Sequence, residues 1–451
     1  MAVNLLAPTS HVIFKSSNPE GIYCGSPAIC SLPNGRLIAS HDIFGAQTQM
    51  LNAPESCYDN VMNCFASTFI YVSDDGGESW RQTGCSPCCH ATPFYAGGRL
   101  YIMGNGDGRL IIKASDDNGD SWGKAACIFD GTPWNDSSQL PEGMEWVPPA
   151  AQGRAMWRGG VTNPIVENGF VYFPGELRKP IMHNVGQPRI WPVAGNAPML
   201  ARGKADTDLT DASNWVITPP RYFCDEVGQD DIAYAGLPFY SEKRFECTKT
   251  MGGKNVSPMG PLEFNVVRIK DPNHIWYDPS GKTLYLFGRF GCARTGLAVV
   301  YRVIEEDDGT LRTDFVYTPG NAKWLILPFP GGQMKFHIQP DEKTHTYWLI
   351  SSQATDGMRR PDRLPSTRFN LPYDQRNRLQ LHFSYNLVDW CFAGMIDIGP
   401  GDKQSRHYCG ACIRGEDLLV VSRSGSEKAA SAHNVDMMTL HIVKNFRDLI
   451  Y

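Results

Sequence analysis

The chain of 451 residues contains no run of about 18 apolar residues, so no membrane-spanning helix is expected. Its opening, MAVNLLAPTS, has neither the basic stretch nor the apolar stretch of a secretory leader. The expected location is therefore the cytoplasm, or the periplasm or exterior if a leader has been removed. An excess of basic charge is also missing: 42 Lys and Arg stand against 47 Asp and Glu. Without a Lys/Arg excess there is no stripe to neutralise phosphates, and neither nucleic acid nor a membrane is an expected partner. Cysteine is sparse, at 14 residues, and a chain this long can bury enough apolar surface without disulfides. Reduced thiols are the expectation. Persuasive helix-period stretches are few.

What the sequence does have is a repeat. A short apolar run, a tight polar turn and a second apolar run recur at 27–40, 92–104, 163–175, 274–288, 335–351 and 411–422. Each reads as a β-hairpin. The turns fall at 35, 98, 169, 281, 343 and 416, giving intervals of 63, 71, 112, 62 and 73 residues. The interval of 112 holds either a seventh unit or one long insertion.

Downstream of the first two hairpins lie two octets of the form S-x-D-x-G-x-x-W, Ser73 to Trp80 and Ser115 to Trp122. This is the Asp-box: Ser and Asp satisfy turn amides, Gly permits the turn, and Trp packs between strands. Weaker relatives end at Trp215 and Trp390. From hairpin turn to Trp the distances are 45, 24, 46 and 47 residues, so three of the four share a phase. Units of about 55–70 residues with four strands each describe an all-β fold, a single β-propeller over 1–451 with six or seven blades. The last strand, near 436–446, is expected to pair with HVIF (11–14) and close the ring. The Asp-boxes are expected to stabilise hairpins and to carry no chemistry.

Three long segments, 130–160, 220–262 and 354–375, interrupt the repeat, and loops of this length are commonly functional. The last contains MRRPDRLPSTR, a basic cluster suited to an anionic sugar or simply to solvent.

Further strings carry a resemblance: GSPAICSLPNGRLIASHDIFG (25–45), PLEFNVV (261–267), GGQMKF (331–336), RNRLQL (376–381), VVSRSG (420–425), AHNVD (432–436) and KNFRDL (444–449). With the octets, from about residue 10 to the C-terminus, they resemble the seven-bladed propeller enzymes that cut rhamnose–uronate linkages. One branch of that clan hydrolyses α-L-rhamnosyl-glucuronate; the other consists of lyases acting on ulvan or rhamnose-capped glucuronate. The resemblance implies seven blades, an acidic oligosaccharide or polysaccharide substrate and, in the hydrolase branch, a catalytic His in the SHD-x-F-G motif, which is His41. An imidazole beside Asp42 is suited to proton exchange near neutral pH, although neighbours on a strand face opposite ways. His90, His337, His407 and Arg423 are candidates for an anionic sugar pocket. Asp42, Glu263, Asn265, Arg289, Lys335, Arg376 and His433 complete the expected substrate contacts.

The lyase branch is less well matched, because Cys88, Cys89 and His90 stand where relatives tend to show an aromatic run. Sialidases share the Asp-box and need an arginine triad, a Tyr nucleophile with a Glu partner, and usually an early R-I-P motif, which is missing before Ser73. Two-carboxylate glycosidase chemistry cannot be assigned from scattered Asp and Glu. Cysteines form another constellation: C-x-x-C pairs with a nearby His occur at Cys85, Cys88, Cys89 and His90 and at His407, Cys409 and Cys412, with Cys24 in a comparable place. Cys88, Cys89, Cys409 and Cys412 have spacing that would suit a divalent metal such as Zn or Ca if they converged near the axis, but buried thiols are the commoner outcome and no cofactor is required. The expectation is a propeller glycoside hydrolase releasing terminal α-L-rhamnose from a uronic acid. The alternatives are a β-eliminating lyase, an exo-sialidase-like enzyme and a non-catalytic glycan-binding propeller.

Overall fold

A computed structural model describes residues 4–48, 57–59, 64–106, 108–133, 142–146, 154–160, 162, 164–186, 192–232, 248–249, 255–291, 296–324, 326–354, 357 and 375–451. Its main sheets are six antiparallel blades arranged as a propeller. Blade 1 is Ala28–Ser31, Leu37–Phe44, Cys64–Ser73 and Arg81–Ser86; blade 2 is Cys89–Ala96, Arg99–Gly106, Arg109–Ser115 and Ala126–Phe129. Blade 3 has a first strand split into Arg154–Arg158 and Ile165–Glu167, followed by Phe170–Arg178, Asn196–Lys204 and Trp215–Ile217. Blade 4 is Pro261–Val267, Thr283–Phe290, Leu297–Glu305 and Leu311–Phe315, and blade 5 is His337–Asp341, Thr346–Ser352, Arg378–Ser384 and Cys391–Ile398. Blade 6 takes Arg406–Arg414, Asp417–Ser424 and Met437–Val443 from the C-terminus and Ser10–Lys15 from the N-terminus. Ser10 pairs with His441 and Lys15 with Met437, the closure expected from the terminal strands.

The packing gives the same number. Six apolar layers lie between successive blades, each drawing its side chains from two neighbours. Because strand side chains alternate, each blade fills a layer on both sides: Leu286 packs toward blade 3 while Phe287 packs toward blade 5. That is why second strands such as Thr283–Phe290 read as continuous apolar runs, seven of their eight residues being buried.

The seven blades implied by the resemblance are corrected to six. The interval of 112 residues contains the last three strands of blade 3, the first strand of blade 4 and, between them, an insertion with two helical turns, Phe223–Glu226 and Gln229–Ile232. Phe223, Val227 and Ile232 pack onto the layer between blades 3 and 4, so this insertion thickens an existing layer. Within 130–160, Met144–Trp146 pairs with Met182–Asn184, and Arg154–Arg158 joins blade 3. The basic cluster at 358–368 lies outside the described residues.

The two octets join third to fourth strands. Ser73 Oγ accepts the Gly77 amide at 2.9 Å and Asp75 accepts the Ser79 amide at 2.9 Å; Ser115 and Asp117 repeat both bonds at 2.8 Å. Gly77 and Gly119 have φ of 104° and 96°, which a side chain would resist. Trp215 and Trp390 occupy the same third-to-fourth position in blades 3 and 5. The one distance out of phase arises because blade 2 turns directly from Gly106 to Arg109. Blades 1, 3 and 5 place long connections there.

Buried histidines make stability depend on pH. Burial pushes His41, His382 and His441 down to about 4 from an ordinary 6.5. Between these values the unfolded chain binds protons that the folded chain refuses, so stability is lost as pH falls through this window. The melting temperature is expected to decline from pH 6.5 to 4 and to be insensitive to these groups above 7. A flat melting profile over pH 4–6.5 would contradict their burial as neutral rings.

Candidate active site

Three first strands carry the same irregularity. In blades 2, 4 and 6 the register slips by one residue, between Cys89 and Thr92, Leu262 and Asn265, and His407 and Gly410. Each slip contains a non-glycine residue in the left-handed region: His90 (φ 51°), Glu263 (φ 56°) and Tyr408 (φ 51°). Such backbone costs about 1–3 kcal/mol per residue, and a bulge of this kind re-aims a side chain. All three line one cavity of about 810 Å³, including the volume open to solvent at its mouth. Its wall is completed by second-strand residues Asp42, Phe44, Glu176, Arg178 and Arg423, and by Gly25, Ser26, Cys89, Arg158, Gly159, Leu262 and His433.

At one side of the cavity the Tyr408 hydroxyl donates to Glu263 Oε1 at 2.8 Å. Arg289 Nη1 donates to the phenol oxygen at 2.8 Å and to Glu263 Oε2 at 3.1 Å. Arg423 lies over the Tyr408 ring, 5.6 Å from its centre. Burial, with the charge of Glu263, pushes Tyr408 up to about 12 against the opposing pull of Arg289 and Arg376. The phenol is therefore neutral at rest, with a proton acceptor already in contact.

Asp42 is only 4% exposed. Its Oδ1 accepts the His90 amide at 2.7 Å and the Thr68 hydroxyl at 3.0 Å, while Oδ2 lies 3.9 Å from His90 Nε2. Burial raises its pKa, opposed by the His90 charge and these hydrogen bonds. Glu176 Oε2 accepts the Glu263 amide at 3.0 Å, and burial lifts Glu176 to about 7. Two glycines reserve the space: a Cβ on Gly25 would come within 2.5 Å of Asp42 Cβ, and one on Gly160 within 2.6 Å of Glu263 Cγ.

The expected residues divide into three groups. Asp42, His90, Glu263, Arg423 and His433 line the cavity, and Cys89 joins them. Arg289 braces it from behind, and Arg376 sits with His407, Nη1 to Nδ1 at 3.2 Å. The others are elsewhere. His41 has no exposed surface; its Nδ1 lies 2.8 Å from the Asp42 carbonyl, its Nε2 3.2 Å from the Tyr71 hydroxyl, and its ring packs on Phe14. Asn265 ties blades 4 and 5 by accepting the Ile338 amide at 2.9 Å; Lys335 donates to the Cys409 carbonyl; His337 is fully buried.

The four candidate ligands do not converge. Cys88 belongs to the layer between blades 1 and 2, Cys89 lines the cavity, Cys409 belongs to the layer between 5 and 6, and Cys412, with Cys24 and Cys85, to that between 6 and 1. Burial raises Cys409 to about 11 and Cys412 to about 12, which holds both as thiols. Among the described residues no group of three or more His, Cys, Asp or Glu is arranged to hold a metal ion.

Sequence reasoning missed Tyr408, Arg158, Glu176 and Arg178. Tyr408 sits inside HYCGAC, where the cysteine spacing is the more conspicuous signal. A signal for Glu176 and Arg178 existed: charged residues recur at the exit of second strands, as Asp42, Arg289 and Arg423 also do.

The fold and this cavity define a six-bladed β-propeller whose axial site is rich in arginine. No family profile matches the chain, and no curated protein sequence matches it. Among solved structures it is similar to the Hadza microbial sialidase Hz136, at 13% identity over 97% of this chain and 68% of that one, with a TM-score of 0.50. It is also similar to an α-L-arabinanase of Penicillium chrysogenum (12% identity, 97% and 98% covered, TM-score 0.48) and to Trypanosoma rangeli sialidase (15%, 99% and 61%, 0.48). The first of these likenesses, at 13% identity, concerns the fold alone.

The crowding at Gly160 can be checked directly. Gly160→Ala is expected to lower the melting temperature by several degrees, since overpacking costs about 1–3 kcal/mol. Gly159→Ala, whose added Cβ would meet nothing nearer than 3.8 Å, is expected to leave it unchanged. Equal melting temperatures for the two variants would contradict the placement of Glu263.

Proposed function

We propose that the protein is a retaining glycoside hydrolase acting on an acidic sugar, with Tyr408 as nucleophile, Glu263 as its base and Asp42 as general acid. The observation that carries this reading is the Tyr408 hydroxyl hydrogen-bonded to Glu263, with Arg289 donating to both. Tyr408 Oη attacks the anomeric carbon and its proton passes to Glu263. Asp42 delivers a proton to the departing glycosidic oxygen. In the second half, Asp42 takes a proton from water, the water oxygen displaces tyrosine from the sugar, and Glu263 returns the proton to Tyr408. Two inversions leave the anomeric configuration retained.

The arginines point to an anionic substrate. Arg158, Arg178 and Arg423 line the cavity and Arg289 and Arg376 stand behind it, against Asp42, Glu176 and Glu263, two of which have raised pKa values. A guanidinium pairs well with a carboxylate. Because Arg289 touches the nucleophile itself, the carboxylate belongs on or next to the reacting carbon, as in a 2-ulosonic acid of the sialic type. A phenol also suits that centre, since a carboxylate nucleophile would be repelled. The rhamnosyl–uronate substrate implied by the sequence strings is the second reading: there the uronate carboxylate would occupy the arginines and rhamnose the reacting position. Proton transfer is assigned to Asp42 because its neighbour His41 faces the core, as alternation on a strand requires.

The test is a panel of sialosides, rhamnosyl-glucuronate and ulvan fragments, read for reducing ends and for an ultraviolet-absorbing unsaturated uronate. Hydrolysis of an acidic glycoside is expected. Tyr408→Phe is expected to lower kcat about 10³-fold or more. Asp42→Asn is expected to lose about 10²–10⁴-fold on natural linkages and much less on an aryl glycoside whose leaving group needs no proton. Unsaturated product would make it a lyase, and binding without turnover would make it a glycan-binding propeller.

A further inference from the structure

One arrangement occurs twice around the axis. Asp42, on the second strand of blade 1, accepts the amide of His90 in the bulge of blade 2 at 2.7 Å. Glu176, on the second strand of blade 3, accepts the amide of Glu263 in the bulge of blade 4 at 3.0 Å. In each case a carboxylate reaches across a blade interface to the left-handed residue of the next blade. The need is physical. A bulge withdraws its amide from the ladder, and a buried amide must find another acceptor. A non-glycine residue stays left-handed only where its surroundings hold it there.

We propose that Glu176 is a positioning residue: by accepting the Glu263 amide, its carboxylate holds the left-handed bulge that aims Glu263 at Tyr408. This rests on the reading of Tyr408 and Glu263 as nucleophile and base. The room for this geometry is left by Gly160, whose missing Cβ would otherwise meet the Glu263 side chain. The charged groups facing Glu176 are Arg178 on its own strand, Arg158 on the split first strand of blade 3, and Glu263 from blade 4. Burial raises the Glu176 carboxyl, Arg178 opposes this, the Glu263 charge reinforces it, the Glu263 amide bond and Arg158 oppose it, and the balance is a group that titrates at about 7. A protonated carboxyl is the weaker acceptor. The hold on the base therefore loosens as pH falls through neutrality, and turnover falls with it.

The experiment compares wild type, Glu176→Gln and Glu176→Ala by kinetics over pH 5–9 and by crystallography, with Tyr408→Phe as a reference. Gln keeps an acceptor oxygen but cannot titrate. Glu176→Gln is expected to retain kcat within about threefold at pH 8 and to lose the acid limb near 7. Glu176→Ala is expected to lose about 10–100-fold in kcat with KM nearly unchanged, because a misplaced base slows the chemical step. Its crystal structure is expected to show Glu263 out of the left-handed region and no longer bonded to Tyr408. A Glu176→Ala structure with Glu263 unmoved would overturn the proposal whatever the activity. So would a rise in KM alone, which would mark Glu176 as a substrate contact. Full activity in Tyr408→Phe would instead remove the nucleophile assignment, and the crystallographic comparison would still decide whether Glu176 positions Glu263.

Discussion

The hydrogen bond from Tyr408 to Glu263 joins two blades that are not neighbours. Blade 5 stands between them, so the bond exists only because the ring holds blades 4 and 6 at a fixed spacing across the axis. Six apolar layers set that spacing, and interiors packed to this density do not deform gradually. Closure by Ser10–Lys15 against Met437–Val443 keeps blade 6 in place. Arg289 then completes the arrangement by donating to both partners, so the phenol oxygen and the carboxylate share one cationic donor.

The ring alone would not bring these groups together. On a regular strand, His90, Glu263 and Tyr408 would have followed the alternation of their neighbours into the layers between blades. The repeated register slip in blades 2, 4 and 6 breaks that alternation at one end of each first strand. The side chains turn toward the axis as a result. Strain at these three positions is offset by the apolar layers, a division of labour in which blades 2, 4 and 6 supply aimed groups and the second strands of blades 1, 3, 4 and 6 supply charge.

Much of this was legible in the sequence, and the limits have physical causes. Strand and hairpin positions follow from apolar periodicity and turn residues, so the repeat led to a propeller and to the terminal closure. Blade number did not follow, because Phe223, Val227 and Ile232 show the apolar character of a blade while packing as an insertion on an existing layer. Of the cavity lining, Asp42, His90, Glu263, Arg423 and His433 were legible, since each lies in a motif near a strand end. Tyr408 was not, because a bulge has no hydropathy signature: a tyrosine between a histidine and a cysteine reads as an ordinary strand residue. His41 shows the converse. Its imidazole belongs to the SHD motif, yet alternation sends it into the core and its neighbour Asp42 into the cavity.

In the proposed reaction the Tyr408 oxygen forms a bond to the sugar. Mass spectrometry of the protein trapped with a fluorinated acidic glycosyl donor, whose slowed second step lets a covalent intermediate accumulate, tests this bond. A single glycosyl adduct is expected on the peptide containing Tyr408, lost in Tyr408→Phe. An adduct on Asp42, Glu176 or Glu263 instead, or turnover of the same donor with no adduct at any residue and inverted product, would contradict it.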